Sequence, residues 1–224
     1  MIKYPVLIID SDQALTERLS AALTQEEFSV TCAHDGVAGL KIALTKVPDL
    51  IILDLLLPDL NGLDVLTRFR QHHATPVMVL CSREDDVDRI LAFDSGANDY
   101  LVKPCNILEV IARLRVMLRC HERIKGPREN IVFHTITLDS AKRVVYLAGH
   151  QELVLTNAEF NILELLMQSP EQAFSKEELT EYALGRKYTA YDRSIDVHIS
   201  NLRNKLGNQA HIKTIRGFGY LLGL

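Results

Sequence analysis

The stretch DLIILDLLLPDLNG (49–62) decides the fold. From Leu50 to Leu57 every residue is aliphatic except Asp54, and Pro58 and Asn61-Gly62 close the run. A continuous apolar segment of that length reads as a strand buried on both faces, as in a parallel sheet covered by helices. A carboxylate inside such a run costs several kcal/mol unless something offsets it. Asp54 therefore needs a chemical reason.

The flanking sequence repeats the pattern. YPVLII (4–9) is a short buried strand ending at Asp10, and Leu15, Leu19, Ala22 and Leu23 follow at helical spacing. FSVTCA is a second strand, and Val37 to Thr45 a second helix. After the central strand come the helix LDVLTRFRQ, the strand PVMVLC, the helix DVDRILAFDSG, the strand DYLV and the amphipathic helix NILEVIARLRVMLR. This alternation predicts an α/β, doubly wound, five-stranded parallel sheet of order 2-1-3-4-5 over residues 1–120.

CHERIKGPREN (120–130) is polar, with Gly126-Pro127 at its centre, and residues 121–130 read as a linker. Beyond it, IVFHTITLDSAKRVVYLAGHQELVL alternates like short antiparallel strands. Two helices open with capping boxes, Thr156 with Glu159 and Ser175 with Glu178. A third helix, DRSIDVHISNLRNKL, stops at Gly207, and IKTIRGFGYLLGL has hairpin chemistry around Gly217 and Gly219. Strands, three helices and a terminal hairpin over 131–224 predict a winged helix-turn-helix domain.

The chain has 224 residues, 47% hydrophobic and 24% charged, enough for a core in each half. No apolar run spans a bilayer, and MIKYPVLIID lacks a signal-peptide pattern, so a cytoplasmic protein without a membrane partner is expected. Cys32, Cys81, Cys105 and Cys120 are too scattered for a disulfide framework or a zinc site. The net charge of −4 hides an asymmetry. Residues 1–120 hold 12 basic and 17 acidic side chains, whereas residues 186–224 hold 7 basic and 2 acidic. A polyanionic partner is expected for the tail alone.

In an open parallel sheet, chemistry collects at the carboxyl ends of the strands. Asp10, Asp54, Cys81 and Lys103 all fall there. Two nearby carboxylates repel unless a hard cation or an ammonium lies between them. A carboxylate so held is a competent nucleophile toward phosphorus.

DLIILDLLLPDLNGLDVL, GANDYLVKP and the acid after VLII resemble the receiver domain of two-component response regulators. TNAEFNILELL, DRSIDVHISNLRNKL and IKTIRGFGYLL resemble the winged-helix effector of the OmpR/PhoB class, with GRKYTAYDRSIDVHISNLRNKL most similar to Cpx-type envelope-stress regulators. The resemblance covers nearly the whole chain. It implies a DNA-binding transcriptional regulator, not an enzyme, controlled when a sensor histidine kinase phosphorylates Asp54. It further implies that Asp10, Asp54 and the Leu56 backbone carbonyl hold Mg²⁺, that Lys103 contacts the phosphoryl group, and that Tyr100 turns inward on activation.

Two positions depart from the family pattern. Ser11 stands where a second metal-binding acid is usual, and a neutral hydroxyl is a poor Mg²⁺ ligand. Cys81 replaces the hydroxyl residue that bonds the phosphoryl group, and a thiol is a weaker donor. Weak Mg²⁺ binding and slow phosphorylation are therefore expected. The alternative is a pseudo-receiver that dimerises and binds DNA without phosphorylation. An aspartyl-phosphate phosphatase would need an acid two residues after the nucleophile, where this chain has Leu56.

On the helix spanning 192–206, Ile195, Ile199, Leu202 and Leu206 form a core-facing stripe. Arg193, Val197, Ser200, Asn201 and Asn204 lie opposite and suit a major groove, Asn201 for adenine and Val197 for a thymine methyl. Arg193, Arg203, Lys205 and Lys213 suit phosphates, and Arg216 at the hairpin tip suits the minor groove. The expected partners are double-stranded DNA, the kinase, RNA polymerase and a second copy of the chain. The resemblance implies a homodimer through helix 4, strand 5 and helix 5, where Arg89, Asp94, Asp99, Glu109, Arg113 and Arg115 match the family's charges. Asn98 stands where that surface usually has an acid.

Overall fold

The computed structural model describes residues 4–26, 28–82, 85–122, 130–140, 142–148, 151–188 and 192–223. The chain divides into two compact units, Met1–Leu118 and Arg119–Leu224. The expected linker at 121–130 is entered by a helix that runs to Glu122, and 123–129 lie outside the described residues.

In the first unit the elements run β1 (Tyr4–Ile9), α1 (Gln13–Gln25), β2 (Phe28–Ala33), α2 (Gly36–Lys46), β3 (Leu50–Asp54), α3 (Gly62–Arg70), β4 (Val77–Cys81), α4 (Asp86–Asp94), β5 (Asp99–Val102) and α5 (Ile107–Glu122). All sheet pairings are parallel, in the order β2-β1-β3-β4-β5. Every residue of β3 and of β4 is buried, because helices cover both faces of the central strands. Val6, Ile8, Leu50, Ile52, Met78 and Leu80 pack with Leu19, Leu23, Val110 and Leu114 in a single cluster, so even-numbered residues of β1, β3 and β4 face α1 and α5. Asp10 and Asp54 continue that parity at the strand ends.

Four helices start on a side-chain cap supplied by Asp12, Asp35, Asn61 and Asp85, which each accept a backbone N–H of the first turn. Gly62 has a different task. A Cβ there would lie 2.2 Å from the Asp54 carbonyl oxygen, so only glycine lets α3 begin against the end of β3.

The second unit contains β6 (Ile131–Phe133), β7 (Ile136–Asp139), β8 (Val144–Leu147), β9 (Gln151–Leu153), α6 (Asn157–Gln168), β10 (Phe174–Ser175), α7 (Lys176–Leu184), α8 (Ser194–Leu206), β11 (His211–Ile215) and β12 (Gly219–Gly223). An antiparallel sheet β6-β7-β8-β9 precedes the helices, and β10-β12-β11 follows. Both expected capping boxes are present. Ile195, Ile199, Leu202 and Leu206 are buried against α6, α7 and the sheets. Two glycines of the terminal hairpin divide the work. Gly217 takes φ 73° at the tip, and a Cβ on Gly219 would meet the Phe174 carbonyl oxygen at 1.9 Å, so Gly219 admits β10 as a third strand. Sequence reading missed β10 because two residues carry no periodicity. Among the described residues, no helix is long and apolar enough to cross a membrane.

α8 also buries His198 completely, and burial, more than any neighbouring charge, pulls its pKa down to about 4. The folded state therefore takes up this proton only near pH 4, while the unfolded chain takes it up near 6.5. Stability from the neutral ring is fully present above pH 6.5 and is lost as pH falls toward 4, by up to about 3 kcal/mol. Urea denaturation followed by circular dichroism should show this decline, and His198→Asn should flatten it over that interval.

Candidate functional site

The carboxyl ends of β1, β3 and β5 form a small polar site. Asp10 is wholly buried and Asp54 is 4% exposed. Lys103 donates from Nζ to Asp10 Oδ2 at 2.6 Å and to Asp54 Oδ2 at 2.8 Å. The other oxygen of each acid is held by backbone, Asp10 Oδ1 by the Asp12 N–H and Asp54 Oδ1 by the Leu56 N–H, both at 3.0 Å. Lys103 is aimed by the chain itself, since its N–H donates to the Cys81 carbonyl at 2.8 Å and so extends the β4–β5 ladder.

Burial pushes the Asp10 carboxyl up, against the opposing pull of the Lys103 ammonium, and the net shift is upward. Burial also opposes the charged Lys103, but its bonds to Asp10 and Asp54 outweigh that cost and raise its pKa. The two directions differ in sense for the ion pair: burial wins at Asp10, whereas Lys103, held by two carboxylates, stays charged. Two acids face one cation, so the site keeps an unmatched negative charge.

Leu56 is 41% exposed and lies two residues past the end of β3. Ser11 is exposed. Cys81 is fully buried, and its thiol is hydrogen-bonded to the Tyr100 hydroxyl, whose pKa burial and this bond push up. Tyr100, 8% exposed, thus already lies inside the protein. One further contact has no counterpart in the local sequence pattern. Asp59 accepts the N–H groups of Gly36 at 2.7 Å and Val37 at 2.9 Å, tying the loop after Asp54 to the start of α2 and lowering its own pKa.

The charges named for a dimer surface are largely engaged within the chain. Arg113 donates to the buried Asp99 at 2.9 Å and to Glu109 at 2.7 Å, Arg89 pairs with Asp86 at 2.6 Å, and Arg115 pairs with Glu26 after α1. Asp94 is exposed at the end of α4. Asn98 is buried and does not stand on a surface. Its side-chain oxygen accepts from Arg70 at 3.0 Å and from the Val77 N–H at 2.9 Å. Val87 and Leu91, one turn apart on α4 and 59% and 43% exposed, form an apolar strip that charge-based reading overlooked.

In the second unit, Arg193, Ser200, Asn204, Lys213 and Arg216 are exposed, while Val197 and Asn201 are half-buried beside them. Two basic residues of α8 have internal partners. Lys205 pairs with the buried Glu159 of α6 at 2.7 Å. Arg203 donates to the Ile212 carbonyl at 2.6 and 2.8 Å and to Thr214 Oγ1 at 2.8 Å. Ile215 and Phe218 stand exposed on either side of Arg216.

Residues 6–115 match the response regulator receiver domain family, and residues 150–222 match the family of transcriptional regulatory protein C-terminal domains. The chain is 39% identical over 227 residues to the transcriptional regulatory protein CpxR of Escherichia coli K12, covering 97% of each chain. It is 35% identical over 221 residues to the response regulator ArlR of Staphylococcus aureus Mu50, covering 97% of this chain and 98% of the relative. A solved mutant of RitR aligns over 98% of each chain with a TM-score of 0.81 at 27% identity.

Replacing Lys103 by alanine leaves two buried carboxylates facing each other without a counterion. The expected loss of stability at neutral pH is about 3 kcal/mol, read by urea denaturation. In the variant Asp10 loses the ammonium that opposes its burial, so the penalty shrinks as pH falls and this acid takes up a proton. A variant as stable as the wild type at pH 7 would contradict the ion triad.

Proposed function

This chain belongs to the response regulator family, a receiver domain followed by a winged-helix DNA-binding domain, and on that premise we propose that it is a cytoplasmic transcriptional regulator switched by phosphorylation of Asp54. The carrying observation is the Asp10–Lys103–Asp54 triad at the strand ends. In the proposed reaction an Asp54 carboxylate oxygen attacks the phosphorus of a kinase phosphohistidine. The P–N bond breaks, its electron pair returns to the imidazole, and an acyl phosphate forms on Asp54. Lys103 faces the incoming phosphoryl oxygens and balances their charge.

Receiver domains generally bind Mg²⁺ at this site. The donors present are hard oxygens, which suits the ion, but they include one carboxylate fewer than usual, and both Oδ2 atoms already hold an ammonium. Asp10, Asp54 and the Leu56 carbonyl would hold Mg²⁺, which supplies charge neutralisation at the phosphoryl group. With Ser11 exposed and neutral, that binding is weak. The same observation favours a second reading, in which Tyr100 is already bonded inward to Cys81 and the regulator dimerises and binds DNA without phosphorylation.

In the second domain α8 enters the major groove. Asn201 and Val197 read base edges, Arg193 and Lys213 meet phosphates, and Arg216 reaches the minor groove from the hairpin. Arg203 and Lys205 join them only by giving up internal partners. Dimers form through α4, β5 and α5, with Val87 and Leu91 supplying apolar contact, and RNA polymerase is recruited from the bound site.

Wild-type protein mixed with a small phosphodonor and Mg²⁺ should phosphorylate slowly and partially by intact mass, and Asp54→Asn should abolish the adduct. Ser11→Asp should tighten the Mg²⁺ dependence by about tenfold, about 1.4 kcal/mol. Fast and complete wild-type phosphorylation would refute the weak-metal reading, and none at all would favour the second reading. Asn201→Ala should relax base preference at one position of each half-site, at a cost of about 1–3 kcal/mol. Unchanged preference in a site-selection experiment would remove Asn201 from base reading.

A further inference from the structure

A recognition helix reads bases only if its angle to the rest of the domain is held closely, whereas phosphate contacts tolerate more play. α8 is tied to the strands of the terminal hairpin at two points two turns apart. Near its start, Asp196 accepts from the Tyr220 hydroxyl of β12 at 2.6 Å. Lys176, the first residue of α7, donates to the two oxygens of the same carboxylate at 2.7 and 2.8 Å. Toward its end, Arg203 grips β11 through Ile212 and Thr214 and lies over the Tyr220 ring, 5.6 Å from its centroid.

Tyr220 is 6% exposed, and burial together with the Asp196 carboxylate pushes its pKa up, so it stays a donor. An acid on a helix that approaches DNA is costly unless neutralised. Asp196 has both an ammonium and a hydroxyl for that purpose, one from each neighbouring element.

We propose that Asp196 and Tyr220 are positioning residues for sequence recognition: their hydrogen bond fixes the rotation of α8 relative to the hairpin, so that Asn201 and Arg216 address the duplex at one set separation. This inference rests on the reading of α8 as the major-groove helix. Breaking the bond frees that rotation. Base contacts then weaken, while charge contacts common to every sequence persist.

The test uses the full chain. A preferred duplex is first selected from random sequence, and affinities for it and for an unrelated duplex of equal length are then measured across a salt series. Tyr220→Phe keeps the ring under Arg203 and the net charge, and removes only the hydroxyl. It should lower the ratio of the two affinities by about tenfold and leave the unrelated duplex and the salt slope unchanged. Asp196→Ala should lower the same ratio, and the double variant should fall no further than the larger single loss. A wild-type ratio in Tyr220→Phe, equal losses on both duplexes, or additive losses in the double variant would each overturn the inference. A wild type that selects no duplex would instead overturn the α8 reading and the inference with it.

Discussion

The receiver domain depends on one ammonium between two carboxylates. Asp10 and Asp54 end adjacent strands on the same side of the sheet, and neither reaches open water. Without Lys103 their charges would face each other across a poorly solvated gap. The surrounding structure is arranged to keep that ammonium in place. β5 extends its ladder by one bond past its last residue so that Lys103 points across the rim. Gly62 lets α3 close against β3, and Asp59 ties the intervening loop to α2. The triad retains one unmatched negative charge, and the same imbalance that makes it costly in a resting fold makes it receptive to a further cation.

The effector domain solves a related problem differently. Its buried polar groups are spread along the helices. Glu159 is shared between the capping box of α6 and Lys205 of α8, so one carboxylate closes a helix start and joins two helices. Glu164 accepts from Ser140 before β8 and from Tyr182 of α7. Arg186 pairs with the buried Asp192 ahead of α8, and this ion pair holds the Asp192 carboxyl below its ordinary range despite burial. The bonds from Glu159 to Lys205 and from Tyr182 to Glu164 cross between helices, so the helices are fixed by specific partners as well as by the apolar stripe of α8.

Much of the architecture was legible from sequence. The apolar runs at 50–57 and 77–81 marked buried strands, although the first strand stops at Asp54 and Leu56 is exposed, and the change from helical to two-residue periodicity after residue 130 marked the second domain. The capping boxes at Thr156 and Ser175 placed two helix starts to the residue. Asp54 was conspicuous for a physical reason, a charge where the local pattern demands an aliphatic side chain. Asn98, Arg203, Lys205 and the cluster of Asp99, Glu109 and Arg113 were harder. Each is polar and looked like surface, yet each is held by partners elsewhere in the fold.

What the sequence determined by itself is whatever depends on residues close in the chain: element type and order, helix caps, the core stripe of α8, and the presence of acids at strand ends. Which partner each polar side chain takes is settled by packing. Lys103 meets Asp10 across 93 positions, Lys205 meets Glu159 across 46, and Tyr220 meets Asp196 across 24. A charge can be spent at the surface or on an internal partner, and local periodicity is the same in both cases. The choice is made by the desolvation and geometry of a pair that exists only once the strands and helices have packed.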